Sequence, residues 1–256
     1  MEEIIKYALL VIGGALAGLI NIIAGAGSLI TLPILIGLGM PPTTANGTNR
    51  IAVIMQDISA TYKFIKNKRL PIKIGLKLML PTIIGGVIGA VLAAGLTDKI
   101  LNIIIISILV LMIIYVVWQP QNWNPSTKTN PKDKIDIFTF IIFLAIGFYA
   151  GFIQAAATYI WFAALLWRVK VDMVAADAIK IFLNLVLTPF ALIIFFYYHQ
   201  VLIFDGLLLG IGSFIGGWYG AKAAISWSPK FIRILMIIIL LLSLLYMLLF
   251  KLFKVF

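Results

Sequence analysis

The chain of 256 residues is 63% hydrophobic and only 11% charged, whereas a soluble domain is about 45–50% apolar even with its glycines counted. Such a chain cannot bury its apolar surface by folding on itself, and about 20 apolar residues cross a bilayer as one helix. The sequence therefore predicts an all-α polytopic membrane protein. It has no cysteine and one histidine, which excludes thiolate chemistry and disfavours a histidine-rich metal site. The formal charge of +11 is typical of cytoplasmic loops that meet anionic lipid, so no nucleic-acid partner is predicted.

Apolar runs fall into two sets of five along the chain. A polar stretch at 119–134, rich in proline, asparagine and lysine, separates the two sets. We therefore expect a first transmembrane repeat at 1–118, a polar cytoplasmic linker at 119–134 and a second repeat at 135–256. The predicted segments lie near 4–24, 28–38, 45–66, 72–95 and 100–118 in the first half, and near 135–155, 159–168, 175–198, 204–225 and 230–250 in the second.

Glycine patterns and charge relate the two halves. The GGxxGA pattern that begins at Gly85 recurs at Gly216, and Gly14 and Gly18 recur as Gly147 and Gly151, 133 positions later. These glycines are typical of close helix packing. The loop after the third segment is rich in Lys and Arg, whereas its counterpart at 199–205 has neither. Equivalent loops are therefore predicted to face opposite sides of the membrane, as in an inverted repeat.

The second segment is too short to cross the membrane. Residues 28–38 span only about 16 Å as a helix, so we expect each repeat to contain a short broken or re-entrant helix pair plus three spanning helices. The basic loop orients the chain, because Lys and Arg favour the cytoplasmic side. Its basic residues are Lys63, Lys66, Lys68, Arg69, Lys73 and Lys77.

The stretch from Asn21 to Ser28 is predicted to break the first helix inside the membrane. Gly25 and Gly27 allow irregular backbone there, and a short helix starting at Ser28 would direct free N–H groups and a positive dipole end into the protein, which suits an anion. The alternative is a tight turn with Ser28 as an ordinary N-cap. In the second half Gln154 stands near the position of Asn21, in a stretch without the glycines.

A basic residue lies near the start of the third segment of each half. Arg50 follows Thr48 and Asn49, and Lys180 lies 130 positions after Arg50. Each would be roughly 7–9 Å deep and would enter from the opposite face, so the two side chains are predicted to converge on a buried anion. The alternative is that both side chains snorkel to the nearest headgroups.

Asp57 is the deepest predicted charge, about 12 residues into the third segment. An isolated carboxylate at that depth must be protonated or paired. We expect it to be either the proton-coupling group or the structural counter-charge to Arg50 or Lys180, and the sequence leaves both readings open.

At these residues the chain resembles the TauE/SafE sulfite exporter family. The resemblance rests on GLINIIAGAGSLITLPILIGLGMPPTTANGTNR at 18–50, with weaker second-half versions in GFYAGFIQAA at 147–156 and AIKIFLN at 178–184. The resemblance implies a transporter built of two repeats that carries sulfite, sulfonates such as sulfoacetate, or related small anions. Asp57 stands where relatives commonly carry a small or polar residue. The substrate-binding candidates that the resemblance implies are Asn21, Gly25, Gly27, Ser28, Thr48, Asn49, Arg50, Gln154 and Lys180.

The resulting hypothesis is a secondary transporter, and an exporter by resemblance, that moves a small sulfur-containing anion by alternating access, with Asp57 as the candidate for proton coupling. A passive anion channel is the alternative, because it needs the same cations but no coupling residue. An intramembrane enzyme is disfavoured, since the sequence has no HExxH and no Gly-x-Ser-x-Gly elbow. We expect no cofactor and no metal. We expect a multi-pass protein of the cytoplasmic membrane that binds a small anionic substrate. The sequence leaves open whether it forms a homodimer.

Overall fold

The computed structural model describes residues 2–25, 27–118, 136–155 and 157–226, together with positions 238 and 245. Over these residues the chain is helical, with turns and bends between helices and no strand. This confirms the all-helical class. The predicted linker at 119–134 lies outside the described residues, and so does the last predicted segment near 230–250 apart from those two positions.

Five helices occupy the first half and four the second, within the part of the chain that the structure describes. The first-half helices are α1 (Glu2–Ala24), α2 (Ser28–Gly37), α3 (Pro42–Lys66), α4 (Ile72–Ala94) and α5 (Asp98–Trp118). The second-half helices are α6 (Ile137–Phe152), α7 (Ala157–Ala163) with a π-helical continuation at Ala164–Val169, α8 (Met173–Tyr197) and α9 (Ile203–Ser226).

Helix α3 begins earlier than the sequence predicted. Its first residue is Pro42, because proline has no N–H to satisfy and its fixed φ suits the first turn of a helix. Arg50 is therefore eight residues into α3, and Lys180 is seven residues into α8. At 1.5 Å per residue both lie about 10–12 Å from the helix start, deeper than expected.

Four of the described helices are long and apolar enough to cross a membrane: α1, α4, α8 and α9. Helices α2 and α6 are apolar but shorter, as is the stretch Ile160–Val169. Helix α3 is 25 residues long, about 37 Å, but it carries many polar residues and is not among the four. Most of those polar side chains, from Thr43 to Thr61, are buried, so α3 turns its polar surface toward the protein.

The long helices pack mainly across the two halves. Helix α1 lies along α9, α4 lies along α6, and α3 and α8 lie between these two pairs. Small residues allow this close approach: a Cβ on Gly18 would lie 2.4 Å from the Ser213 carbonyl oxygen, and one on Gly151 would lie 2.0 Å from the Gly86 carbonyl oxygen. The glycine motifs of the sequence are therefore packing surfaces, as predicted.

The described residues with positive φ fall into three pairs, one member in each half. Gly25 pairs with Gln154 at a spacing of 129, and Gly39 with Lys170 and Lys68 with His199 at a spacing of 131. At the break the structure thus matches Gln154 to Gly25 rather than to Asn21. The spacing of 133 read from the glycines of α1 and α6 is therefore one helical turn too long. At a spacing of 129 Gly18 matches Gly147, and the two pack against Ser213 and Thr82, which are themselves 131 positions apart.

Candidate functional site

A small cavity lies where the two helix breaks meet α3 and α8. The centre of a water molecule can occupy about 20 Å³ of this cavity, which is enough space for about one water molecule. Acidic, basic and carboxamide side chains share its wall with a buried aromatic ring. The lining residues are Asn21, Asp57, Gln154, Ala157, Thr158, Trp161, Lys180, Ile181 and Asn184.

A chain of buried hydrogen bonds runs along one side of this cavity. Arg50 Nη1 donates to Gln154 Oε1 at 3.2 Å, and Gln154 Nε2 donates to Asn184 Oδ1 at 2.6 Å. Asn184 Nδ2 then donates to Asp57 Oδ2 at 2.6 Å, while Gln56 Nε2 donates to Asp57 Oδ1 at 3.2 Å. The chain links α3, the α6–α7 break and α8, and it ends on a carboxylate whose two oxygens both accept.

Lys180 is the cation that the structure places at the cavity. Its Nζ lies 2.6 Å from Asp177 Oδ1, one turn earlier on α8, and 5.2 Å from the centre of the Phe162 ring. The separation between Lys180 and Asp177 is that of an ion pair. Among the described residues, however, no acceptor has the geometry of a hydrogen bond with Nζ. An ammonium group has three donors, so Lys180 retains the capacity to bind an anion.

Arg50 donates mainly to backbone carbonyls of α6. Its Nη1 donates to the Ala150 carbonyl at 2.8 Å and its Nη2 to the Gly151 carbonyl at 2.7 Å. Asn46, one turn earlier on α3, donates to the Phe152 carbonyl at 2.9 Å. These are the last carbonyls of α6, which lack partners within the helix and carry the negative end of its dipole. Arg50 therefore caps α6, and among the described residues its hydrogen-bonded link to the cavity wall is Gln154.

Close contacts fix the first break. Gly25 has φ +68°, and a Cβ there would lie 1.7 Å from Thr158 Oγ1 of α7. The Gly27 N–H donates to Asn21 Oδ1 at 3.1 Å. The N-cap of α2 is Gly27 with no side-chain cap, so Ser28 is not the N-cap of that helix. Its Oγ instead accepts from Asn49 Nδ2 at 3.2 Å.

The structure brings together some of the predicted site residues and not others. Four line the cavity, namely Asn21, Asp57, Gln154 and Lys180. Most of the remaining candidates lie near the breaks without lining the cavity. Thr48 instead contacts the turn ahead of α9, where its Oγ1 accepts from the Leu202 N–H at 2.9 Å. The candidates outside the cavity wall are Gly25, Gly27, Ser28, Thr48, Asn49 and Arg50.

Sequence reasoning did not single out two residues of the cavity wall, Asn184 and Thr158. Asn184 lies four residues after Lys180, which places both on one face of α8, and this spacing was a usable signal. Thr158 had no such signal, because its place at the cavity depends on how the short helix α7 packs against the α1–α2 break.

Sequence comparisons with known proteins identify relatives that are described as membrane transporters. A sequence profile described as sulfite exporter TauE/SafE matches residues 10–247. The chain is 27% identical over 232 residues to the probable membrane transporter protein ORF9 of a Sinorhizobium species, which covers 90% of this chain and 87% of that protein.

Two further relatives are similar over most of their length. The probable membrane transporter protein YfcA of Escherichia coli K12 is 27% identical over 87% of this chain and 82% of its own. A probable membrane transporter protein of Haemophilus influenzae is 24% identical over 90% and 89%. No solved structure matches significantly. The chain belongs to the TauE/SafE sulfite exporter family and is a membrane transporter rather than an enzyme.

Proposed function

We propose that the protein is a secondary transporter that exports small sulfur-containing anions, such as sulfite or organosulfonates, with proton coupling. The observation that carries this proposal is the cavity between the two helix breaks, which combines Lys180 with Asp57 and three carboxamides. The description of the family as sulfite exporters supports the choice of substrate.

The charges at the cavity favour coupling to a proton. Lys180 is already offset by Asp177 at 2.6 Å, so an ionised Asp57 leaves the group of three with a net negative charge. An anion entering beside that charge is repelled at short range in a medium of low dielectric. Protonation of Asp57 removes the repulsion, and the anion and the proton would therefore bind together.

The geometry also favours alternating access over an open channel. The cavity admits about one water molecule, so an anion as large as sulfoacetate requires its walls to part. Both breaks lie at the cavity, and discontinuous helices at a central site are the usual moving parts of transporters built from inverted repeats. We place the two repeats at 1–118 and 135–256 in opposite orientations, in the cytoplasmic membrane with the basic loop inside.

Uptake of labelled sulfite and sulfoacetate into proteoliposomes, with and without an imposed pH gradient, tests the proposal. We expect saturable uptake of the anion that the gradient stimulates. Lys180→Gln should lower uptake at least about tenfold, since a charge-assisted bond contributes about 1.5–3 kcal/mol. Asp57→Asn should abolish the response to the gradient.

The matched control is Lys73→Gln, which removes a positive charge from the exposed surface of the basic loop and should leave uptake unchanged. Linear, unsaturable flux that Asp57→Asn does not alter would instead establish the passive channel. Equal uptake by the wild type and Lys180→Gln would remove Lys180 from the site.

A further inference from the structure

The hydrogen-bond chain beside the cavity has a fixed direction. Arg50 can only donate, and an ionised Asp57 can only accept. The two carboxamides between them are both turned so that the oxygen faces Arg50 and the NH₂ group faces Asp57. The chain cannot reverse as a whole, because Arg50 has no acceptor to offer.

A proton on Asp57 must therefore disturb this chain. On Oδ2 the proton would face the Asn184 NH₂ group, which lies 2.6 Å away, and two donors would oppose each other. On Oδ1 it would displace Gln56 and remove the negative charge that strengthens the bond from Asn184. The other ionisable groups that act on Asp57 among the described residues are Lys180 and Asp177 on α8. In either case the link between α8 and Asp57 is broken or weakened.

Gln154, which follows Arg50 in the hydrogen-bond chain, has an unfavourable backbone conformation. Gln154 adopts φ +61° between α6 and α7, a conformation that costs a residue with a side chain about 1–2 kcal/mol. Its side chain is held from both sides, by Arg50 on α3 and by Asn184 on α8. Loss of the bond from Gln154 to Asn184 removes the hydrogen bond that joins the α6–α7 break to α8.

We propose that Asn184 is a positioning residue that transmits the protonation state of Asp57 to the α6–α7 break through Gln154. The inference rests on the proposed proton coupling and adds its structural route. With Asp57 ionised, the chain holds α7 against the cavity. With Asp57 protonated, the tie to α8 is released and the start of α7, at Ala157 and Thr158, opens the cavity.

The absence of natural cysteine allows a direct test at one fixed neutral pH. Ala157→Cys places a single thiol on the cavity wall, and its rate of reaction with a maleimide reports opening. Asp57→Asn imitates the neutral carboxyl, and Asn184→Leu removes the carboxamide that links Gln154 to Asp57 in the hydrogen-bond chain. Each should raise the labelling rate about threefold or more, and the double variant should be no faster than either single one, since residues of one network are not additive.

The inference is overturned by labelling of Asn184→Leu at the rate of the Ala157→Cys parent, and equally by effects of Asp57→Asn and Asn184→Leu that multiply. Thr188→Val is the matched control, because Thr188 is buried one turn later on α8 and, within the described part of the chain, its hydroxyl bonds only the Asn184 carbonyl. A similar rise in Thr188→Val would mean general loosening and would also overturn it.

A second variant keeps the test available if Asn184→Leu does not fold. Gln154→Asn tolerates positive φ but is too short to span Arg50 and Asn184, and the same rise in labelling is expected. This readout needs no substrate. Failure here leaves the proposed transport standing, whereas the absence of uptake of every anion by the wild type would contradict the proposed function itself.

Discussion

Arg50 shows how a buried charge is satisfied by backbone in this protein. Its guanidinium is fully buried and donates to two carbonyls at the end of α6. Arg50→Lys keeps the charge but loses the planar fork that reaches both oxygens. We expect a loss of about 3 kcal/mol in the free energy of unfolding, measured by denaturation in detergent.

The comparison for this prediction is Arg69→Lys, which changes an exposed side chain of the basic loop and should be neutral. If Arg50→Lys unfolds at the wild-type midpoint, Arg50 does not stabilise α6. If Arg50→Lys keeps its stability and loses uptake alone, Arg50 binds the substrate directly, as the sequence suggested.

Gly25 is required by conformation and by space together. Its φ is +68°, and a Cβ added there would lie only 1.7 Å from Thr158 Oγ1, so Gly25→Ala should lower the melting temperature and impair folding of the break. The left-handed conformation alone costs about 1–2 kcal/mol. Gly95→Ala is the matched control, since the nearest atom to its Cβ would be 3.6 Å away; equal melting temperatures for the two variants would contradict the prediction.

At the scale of the helix, Asp98 joins the start of α5 to the start of α3. Its Oδ1 accepts from the Thr43 N–H at 3.0 Å and from the Thr43 hydroxyl at 2.6 Å. Pro41, the N-cap of α3, supplies no side-chain cap, so Asp98 takes that role from another helix. Asp98→Ala should destabilise the protein by about 1 kcal/mol and speed hydrogen exchange at the Thr43 amide.

Asp98→Asn should retain most of the cap, because it keeps an acceptor oxygen, and Lys99→Ala is the neighbouring control. Thermal unfolding and amide exchange together check the prediction. Unchanged exchange at Thr43 in Asp98→Ala would show that the carboxylate does not hold the first turn of α3.

The sequence predicts the helices of this protein better than it predicts their contacts. The break after Ala24 and the start of α2 at Ser28 follow from local glycines, and the structure agrees. The partners of Arg50 depend on where α6 ends in space, and they lie 100 and 101 positions away in the chain. Burial and spacing suggested that a cation at that depth needs an anion, but the carbonyls at a helix end meet the same need.

At the scale of the whole molecule, the most extensive helix contacts join the first half of the chain to the second. Helix α1 lies along α9 and α4 along α6, and the turns after α3 and α8 repeat one hydrogen-bond pattern. The Arg69 N–H donates to the Phe64 carbonyl at 2.9 Å, and the Gln200 N–H donates to the Phe195 carbonyl at 2.9 Å. Two repeats of one ancestral unit would produce this match, and charge predicts that the two turns face opposite sides of the membrane.

Single cysteines in the cysteine-free chain test that orientation. Lys66 and Tyr197 are the last residues of α3 and α8, both are exposed, and they occupy equivalent positions in the two halves. In sealed inside-out vesicles, a membrane-impermeant maleimide should label Lys66→Cys but reach Tyr197→Cys only after detergent is added, and right-side-out vesicles should give the reverse. Labelling of both from the same side would exclude an inverted repeat. Both repeats would then have to enter the membrane in the same sense, and the two breaks would reach the cavity from one face rather than from two.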